Sequence, residues 1–133
     1  MKSASATIRV IGVTMENGCA MHASLRAGHP VQVEEVPSLA DSLGGGIGLD
    51  NRYTFRMVRD LVDDTVLVSE DEIAAAIRHV YEAEQLVVEG AGAVGVAALL
   101  AGRVRAGAST AVLLSGANID MAVHRRIVCG QTA

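Results

Sequence analysis

Gly90-Ala91-Gly92-Ala93-Val94-Gly95 is a literal G-x-G-x-x-G, a spacing that lets backbone approach a pyrophosphate at a helix N-terminus. A dinucleotide site also needs an acidic residue at the end of the next strand, about 20 residues on. Here that strand ends in Ser115 and Gly116, and Asp120 falls beyond it at a helix start, so close helix packing through small residues is the competing reading. Glu89 precedes the motif. A lone carboxylate beside Val87, Val88, Gly90 and Ala91 is expected to be desolvated, or else to cap the next helix. Ser115 stands where a strand meets a turn, the ligand-facing edge of an open α/β sheet, though not in a G-x-S-x-G elbow. Gly44, Gly45, Gly46 and Gly48 could form an anion nest or a flexible loop; without a following Lys and Ser/Thr they are no nucleotide-hydrolysing loop. His22, His29, His79 and His124 show no metal spacing, and Glu34-Glu35 and Asp63-Asp64 read as solvated faces.

These groups need elements to position them. Thr7 to Val13 and Thr65 to Val68 are β-branched apolar runs that predict strands, and Thr110 to Leu114 predicts a third running into Ser115. A short helix is expected over 20–27, stopped by Gly28 and Pro30, with Val31, Val33 and Val36 in an extended segment after it. Ser38 to Leu43 predicts a helical turn. Asp50 or Asn51 would cap a helix to about Asp63, with Phe55, Val58 and Leu61 or Val62 on its buried face. Ser69-Glu70-Asp71-Glu72 is a capping box, and the helix it opens keeps Ile73, Ile77, Val80 and Tyr81 on one face. A very apolar helix is expected from about Val94 to Ala101, and a last one from about Asp120. Alternating strands and helices with unbroken apolar strands predict an α/β fold, three layers with a mostly parallel sheet, in a single domain over 1–133.

Composition narrows the classes. The 133 residues are 50% hydrophobic and 20% charged, which is a folded core and not a disordered chain. Aromatics are 2%, so that core must be aliphatic and alanine-rich. A net charge of −4 with interspersed signs gives no basic patch, and no nucleic-acid partner is expected. The longest apolar run, from Val94 to Ala101, is too short for a bilayer, so no membrane partner is expected either. Cys19 and Cys129 form no redox or metal motif; with no secretory pattern at the start, a cytoplasmic location is expected.

Taken in order, the motifs resemble the pyridoxal-phosphate-dependent serine/threonine dehydratases. The resemblance runs through I-R-V-I-G-V at 8–13, H-A-S-L-R-A-G-H-P-V at 22–31 and L-A-D-S-L-G-G-G-I-G at 39–48. It continues in R-D-L-V-D-D at 59–64, V-S-E-D-E-I at 68–73, V-E-G-A-G-A-V-G-V-A-A at 88–98 and L-L-S-G-A-N-I-D at 113–120. G-G-G-I-G-L-D-N-R-Y-T-F and N-I-D-M-A-V-H-R-R-I are similar to the hydroxyectoine-utilisation branch. The resemblance implies part of the larger cofactor domain of a fold-type-II enzyme, with pyridoxal phosphate as cofactor. It implies that Ser115 hydrogen-bonds the cofactor's ring nitrogen, that Glu89 lines the pocket near its phenolic oxygen, and that Gly116 and Asn118 form the turn presenting Ser115. Ser42 and Gly45 match positions bordering cofactor and substrate. The parent reaction it implies eliminates water from a hydroxy amino acid to give a 2-oxo acid and ammonia.

Two departures follow. The reaction needs a lysine to form the Schiff base, in an S-F-K-x-R-G-A-like motif. Of 11 basic residues here ten are arginine, and the single lysine, Lys2, sits in the wrong context. No catalytic residue is therefore assigned, and the chain is expected to be inactive without an N-terminal half of the enzyme as partner. Some relatives bind a divalent cation where this chain has Thr14 and Ala20, so no metal site is expected. Apolar surface left by an absent half would favour self-association, and a homo-oligomer is expected. Two other classes stay open: a non-catalytic small-molecule-binding or interaction module that keeps the fold, and a nucleotide-binding α/β domain through Gly90 to Gly95.

Overall fold

The computed structural model describes residues 2–131. Two strands, β1 (Ile11–Met15) and β2 (Asp64–Val68), pair in parallel with Ile11 opposite Asp64 and Met15 opposite Val68. Five α-helices follow the order α1 (Ala20–Ala27), α2 (Thr54–Leu61), α3 (Glu70–Glu84), α4 (Gly90–Leu100) and α5 (Met121–Val128), and a 3-10 turn spans Asp41–Leu43. The fold is α/β with a parallel sheet, as expected. Helix α4 packs on both strands and on α3, and α5 packs on α3.

The core is aliphatic and small. Met15, Val68, Ile73, Ile77, Val80 and Val88 interlock with Ala91, Ala93, Val94, Ala97 and Ala98, and Phe55 is the one aromatic residue in the buried set. α4 is apolar on every side, which suits a helix enclosed by its neighbours. Its glycines have packing reasons. A Cβ at Gly90 would overlap the Leu39 carbonyl, one at Gly92 would lie 2.9 Å from the Gly116 carbonyl oxygen, and one at Gly95 would lie 2.8 Å from Val112 Cγ1. Close packing, the simpler of the two readings of G-x-G-x-x-G, is what these positions do. Tertiary contact also starts the helix at Gly90, four residues before the expected Val94, against the low helix propensity of glycine.

Three other boundaries move. β1 begins at Ile11 instead of Thr7, because Val10 meets Asp63: the Val10 N–H donates to Asp63 Oδ2 at 2.7 Å, and the Asp63 N–H to the Val10 carbonyl at 2.9 Å. α2 is shorter than expected, with Tyr53 at its N-cap position. Asn51 still serves its first turn, its Oδ1 accepting from the Phe55 N–H at 2.9 Å. The expected third strand, Thr110 to Leu114, is not a strand: no ladder partner for it exists among the described residues. Leu113 is 81% exposed. A β-branched run becomes a strand only where another backbone accepts its N–H and C=O groups. Val31 to Val36 likewise forms no ladder.

Candidate functional site

Glu89 occupies the N-cap of α4 but does not cap it with its side chain. The carboxylate turns toward the turn that follows the 110–114 segment. Glu89 Oε2 accepts from the Asn118 N–H at 2.9 Å, and the Glu89 N–H donates to the Gly116 carbonyl at 3.0 Å. The carboxylate lies so close over Gly116 that a Cβ there would overlap it. Gly116 is thus held on one side by Glu89 and on the other by Gly92, which explains why both turn and helix carry glycine. The residues singled out from sequence as Glu89, Gly116 and Asn118 form one cluster, and Asn118 enters it through its backbone.

Ser115 adjoins this cluster through Gly116. It is exposed, and no group among the described residues hydrogen-bonds its hydroxyl. Asp120 ends the turn by capping α5, accepting from the Ala122 and Val123 N–H groups at 2.6 and 3.2 Å. It is therefore committed to the helix and is no ribose-binding acid.

A cleft of about 780 Å³ opens beside Glu89 and Asn118, with Asp41, Arg78, Asp120 and Arg126 on its walls. Ser42 and Gly45 do not line it. Ser42 is exposed on the 3-10 turn, its hydroxyl 3.4 Å from Asp41 Oδ1. Gly45 is left-handed at φ 87°, facing Glu35. Ser115 and Gly116 do not line the cleft either: Glu89 meets Gly116 and Asn118 directly, Ser115 adjoins them along the chain, and the 3-10 turn that carries Ser42 packs on α4.

Sequence pattern missed the residue that anchors that loop. Glu70, the first residue of α3, accepts from the Ser38 hydroxyl at 2.6 Å and from the Leu39 N–H at 2.7 Å. Ser38 Oγ in turn accepts from the Ala40 N–H at 3.0 Å. Gly90 closes on Leu39 from the other side, so the strap leading to Ser42 is pinned between the N-termini of α3 and α4. The acidic run at 70–72 was a visible signal, but only the partner 31 residues away assigns Glu70 its role.

Electrostatics separate the lysine from the cluster. The Lys2 ammonium is 2.6 Å from Asp63 Oδ2, at the entrance to the sheet. Asp63 is held below the ordinary carboxylate range, first by its hydrogen bond from Lys2 and then by the Val10 N–H. Among the described residues no three His, Cys, Asp or Glu side chains converge to hold a metal, and no helix is long and apolar enough to cross a membrane.

Residues 1–116 match the family described as pyridoxal-phosphate dependent enzyme. The chain belongs to that family. Among curated relatives, a protein described as a threonine dehydratase in Sinorhizobium fredii is 64% identical over 123 residues, 92% of this chain and 37% of its own length. L-threonine ammonia-lyase of Thermotoga maritima is 43% identical over 96% of this chain and 31% of that protein. Among solved structures, threonine deaminase isoform 2 from Solanum lycopersicum superposes with a TM-score of 0.82 at 30% identity, covering 95% of this chain and 37% of that one. The chain therefore spans about a third of the length of these relatives. In kind, the residues present fit the edge of a pyridoxal ring: Ser115 offers an exposed neutral hydroxyl and Glu89 a carboxylate.

Proposed function

We propose that this chain supplies one wall of the cofactor site in a pyridoxal-phosphate-dependent dehydratase acting on threonine, serine or a similar hydroxy amino acid. The observation that carries the reading is the Glu89–Gly116–Asn118 cluster set against the unpartnered Ser115 hydroxyl. Pyridoxal phosphate, when bound, withdraws electrons from the substrate's α-carbon. Ser115 would face the ring nitrogen with a neutral hydroxyl, which does not hold that nitrogen protonated as a carboxylate would, and this favours elimination over transamination. Glu89 would line the pocket near the phenolic oxygen, with the Asn118 N–H fixing the carboxylate's orientation. Ser42 and Gly45 would border the substrate. Asp41 lines the cleft beside Ser42.

The reaction also needs a lysine to carry the cofactor and move the α-proton. Lys2 is occupied by Asp63, so on this reading the lysine comes from polypeptide outside these 133 residues and the chain alone is inactive. The finer substrate assignment, a hydroxyectoine-derived hydroxy amino acid, rests on the G-G-G-I-G-L-D-N-R-Y-T-F and N-I-D-M-A-V-H-R-R-I strings.

The test supplies a polypeptide carrying the lysine-bearing half of a dehydratase and assays 2-oxo acid and ammonia. We expect no product from the chain alone, product from the pair, and a large loss with Ser115→Asp. Turnover by the chain alone, or a Ser115→Asp pair as active as the original, would overturn the reading. Comparing threonine, serine and hydroxyectoine-derived hydroxy amino acids then ranks the substrates.

A further inference from the structure

The cleft beside Glu89 has walls that the cofactor reading leaves unused. Asp71, Ala74, Ala75 and Arg78 line it at the i, i+3, i+4, i+7 spacing that puts them on one face of α3. Val123 and Arg126, one turn apart on α5, line it from the other side, with Ile119 ahead of them. The alanines and the branched side chains make its middle apolar. Its charges are sorted by end. Asp71 stands where α3 begins, next to Glu70, whose bond to the Leu39 N–H brings the strap and Asp41 to that same end. Farther along α3, Arg78 donates from Nε and Nη2 to the Ile127 carbonyl at 3.1 and 2.9 Å. That contact sets Arg78 and Arg126 together at the other end. About 10 Å of helix separates Asp71 from Arg78.

These charges are not cancelled within the protein. Glu70, Glu89 and Asp120 on the walls are taken up by backbone N–H groups. Asp41, Asp71, Arg78 and Arg126 enter no ion pair among the described residues. A volume of about 780 Å³ suits a small molecule, and opposite charges at the two ends of an apolar floor select its chemistry. We propose that this cleft binds a small zwitterion in which an aliphatic chain separates an ammonium group from a carboxylate. The ammonium lies at Asp71 and Asp41, the carboxylate at Arg126 with Arg78 behind it, and the chain crosses Ala74, Ala75 and Val123. Threonine, with both charges attached to one carbon, reaches only one end. Asp71 and Arg126 are exposed, so each ion pair is screened and the affinity is on the order of millimolar. Ser42, Gly45, Ser115 and Gly116 do not line this cleft, and the inference does not depend on the cofactor reading.

An amide chemical-shift titration of the chain without pyridoxal phosphate tests it, with ε-aminocaproate as the probe. The expected result is saturable shifts centred on Ala74, Ala75 and Val123. Caproate, hexylamine and threonine should each bind about fivefold more weakly, because each lacks one end of the contact. Asp71→Asn and Arg126→Gln, both at exposed positions, should each weaken ε-aminocaproate about fivefold, whereas Glu84→Gln, at the far end of α3, leaves it unchanged. In Arg126→Gln the preference for ε-aminocaproate over hexylamine should disappear, a result that a loss of folding would not produce. Shifts that do not saturate, shifts centred elsewhere, a comparator that binds as tightly, or binding that neither variant weakens would each overturn the proposal.

Discussion

Ser69 and Glu89 stand at the N-caps of α3 and α4 with nearly the same backbone angles, φ −81°, ψ 165° and φ −78°, ψ 164°. At α3 the side chains close on themselves: the Glu72 N–H donates to Ser69 Oγ at 3.3 Å, and the Ser69 N–H to Glu72 Oε2 at 2.8 Å. Arg103 adds an ion pair to Glu72 at 3.0 Å. At α4 the side chain that could cap is turned away, toward Asn118 and Gly116, and the first turn is left without it. The carboxylate forgoes its own helix for a turn 29 residues on. The helix that caps itself is closed by local partners; the other is tied by its N-cap residue to the 116–118 turn.

The contrast can be pressed hardest at the glycines of α4. Gly90→Ala should cost about 2–3 kcal/mol in urea unfolding, because the added methyl overlaps the Leu39 carbonyl and the strap is pinned by Glu70. An unchanged midpoint would show that the strap yields and that the two N-termini do not hold it jointly. Ser69→Ala should cost about 1 kcal/mol by loss of the cap, with faster amide exchange at Glu72. Acid should act on α3 next. The Glu72 carboxyl is held below its ordinary 4.5, first by the Ser69 N–H and then by Arg103. Folding lowers that pKa, so its stabilising contribution is present above about pH 4.5 and is lost as pH falls through the folded value. The Ser69 amide shift, followed by NMR from neutral to acid pH, should report the loss. The smallest effect is expected at α4 itself: Glu89→Gln keeps its shape and one acceptor and should change stability by less than about 0.5 kcal/mol. If it destabilised α4 as Ser69→Ala does α3, Glu89 would be an ordinary cap and the distinction would fail.

What could be read from sequence divides along the same line. The capping box was legible because all its partners lie within four residues, and α1 was legible because Gly28 takes the left-handed conformation at φ 78° that ends it. The grouping of Glu89 with the Ser115 turn was legible only through resemblance to the family; no local pattern links residues 29 apart. The strand at 110–114 was read from β-branched composition, which describes what a pleated surface accepts and not whether a partner is present. Ser42 is placed by motif match alone, and no periodicity announces the Glu70 clamp on the strap that leads to it. The sequence places the start of α4 too late because its opening glycines argue against helix, while their packing against Leu39 and Gly116 requires it.

The parallel ladder has a kinetic meaning. Ile11 pairs with Asp64 and Met15 with Val68, so every rung closes a loop of more than fifty residues, whereas α3 and α4 meet across a connection of a few. Closing the long loop costs entropy before any rung repays it, and parallel pairing cannot begin from a hairpin. The helical pair should therefore form first during refolding and the sheet close onto it later. Until it does, Val13, Val66 and Val68 remain open to other chains, and that interval is when the protein is most prone to aggregate.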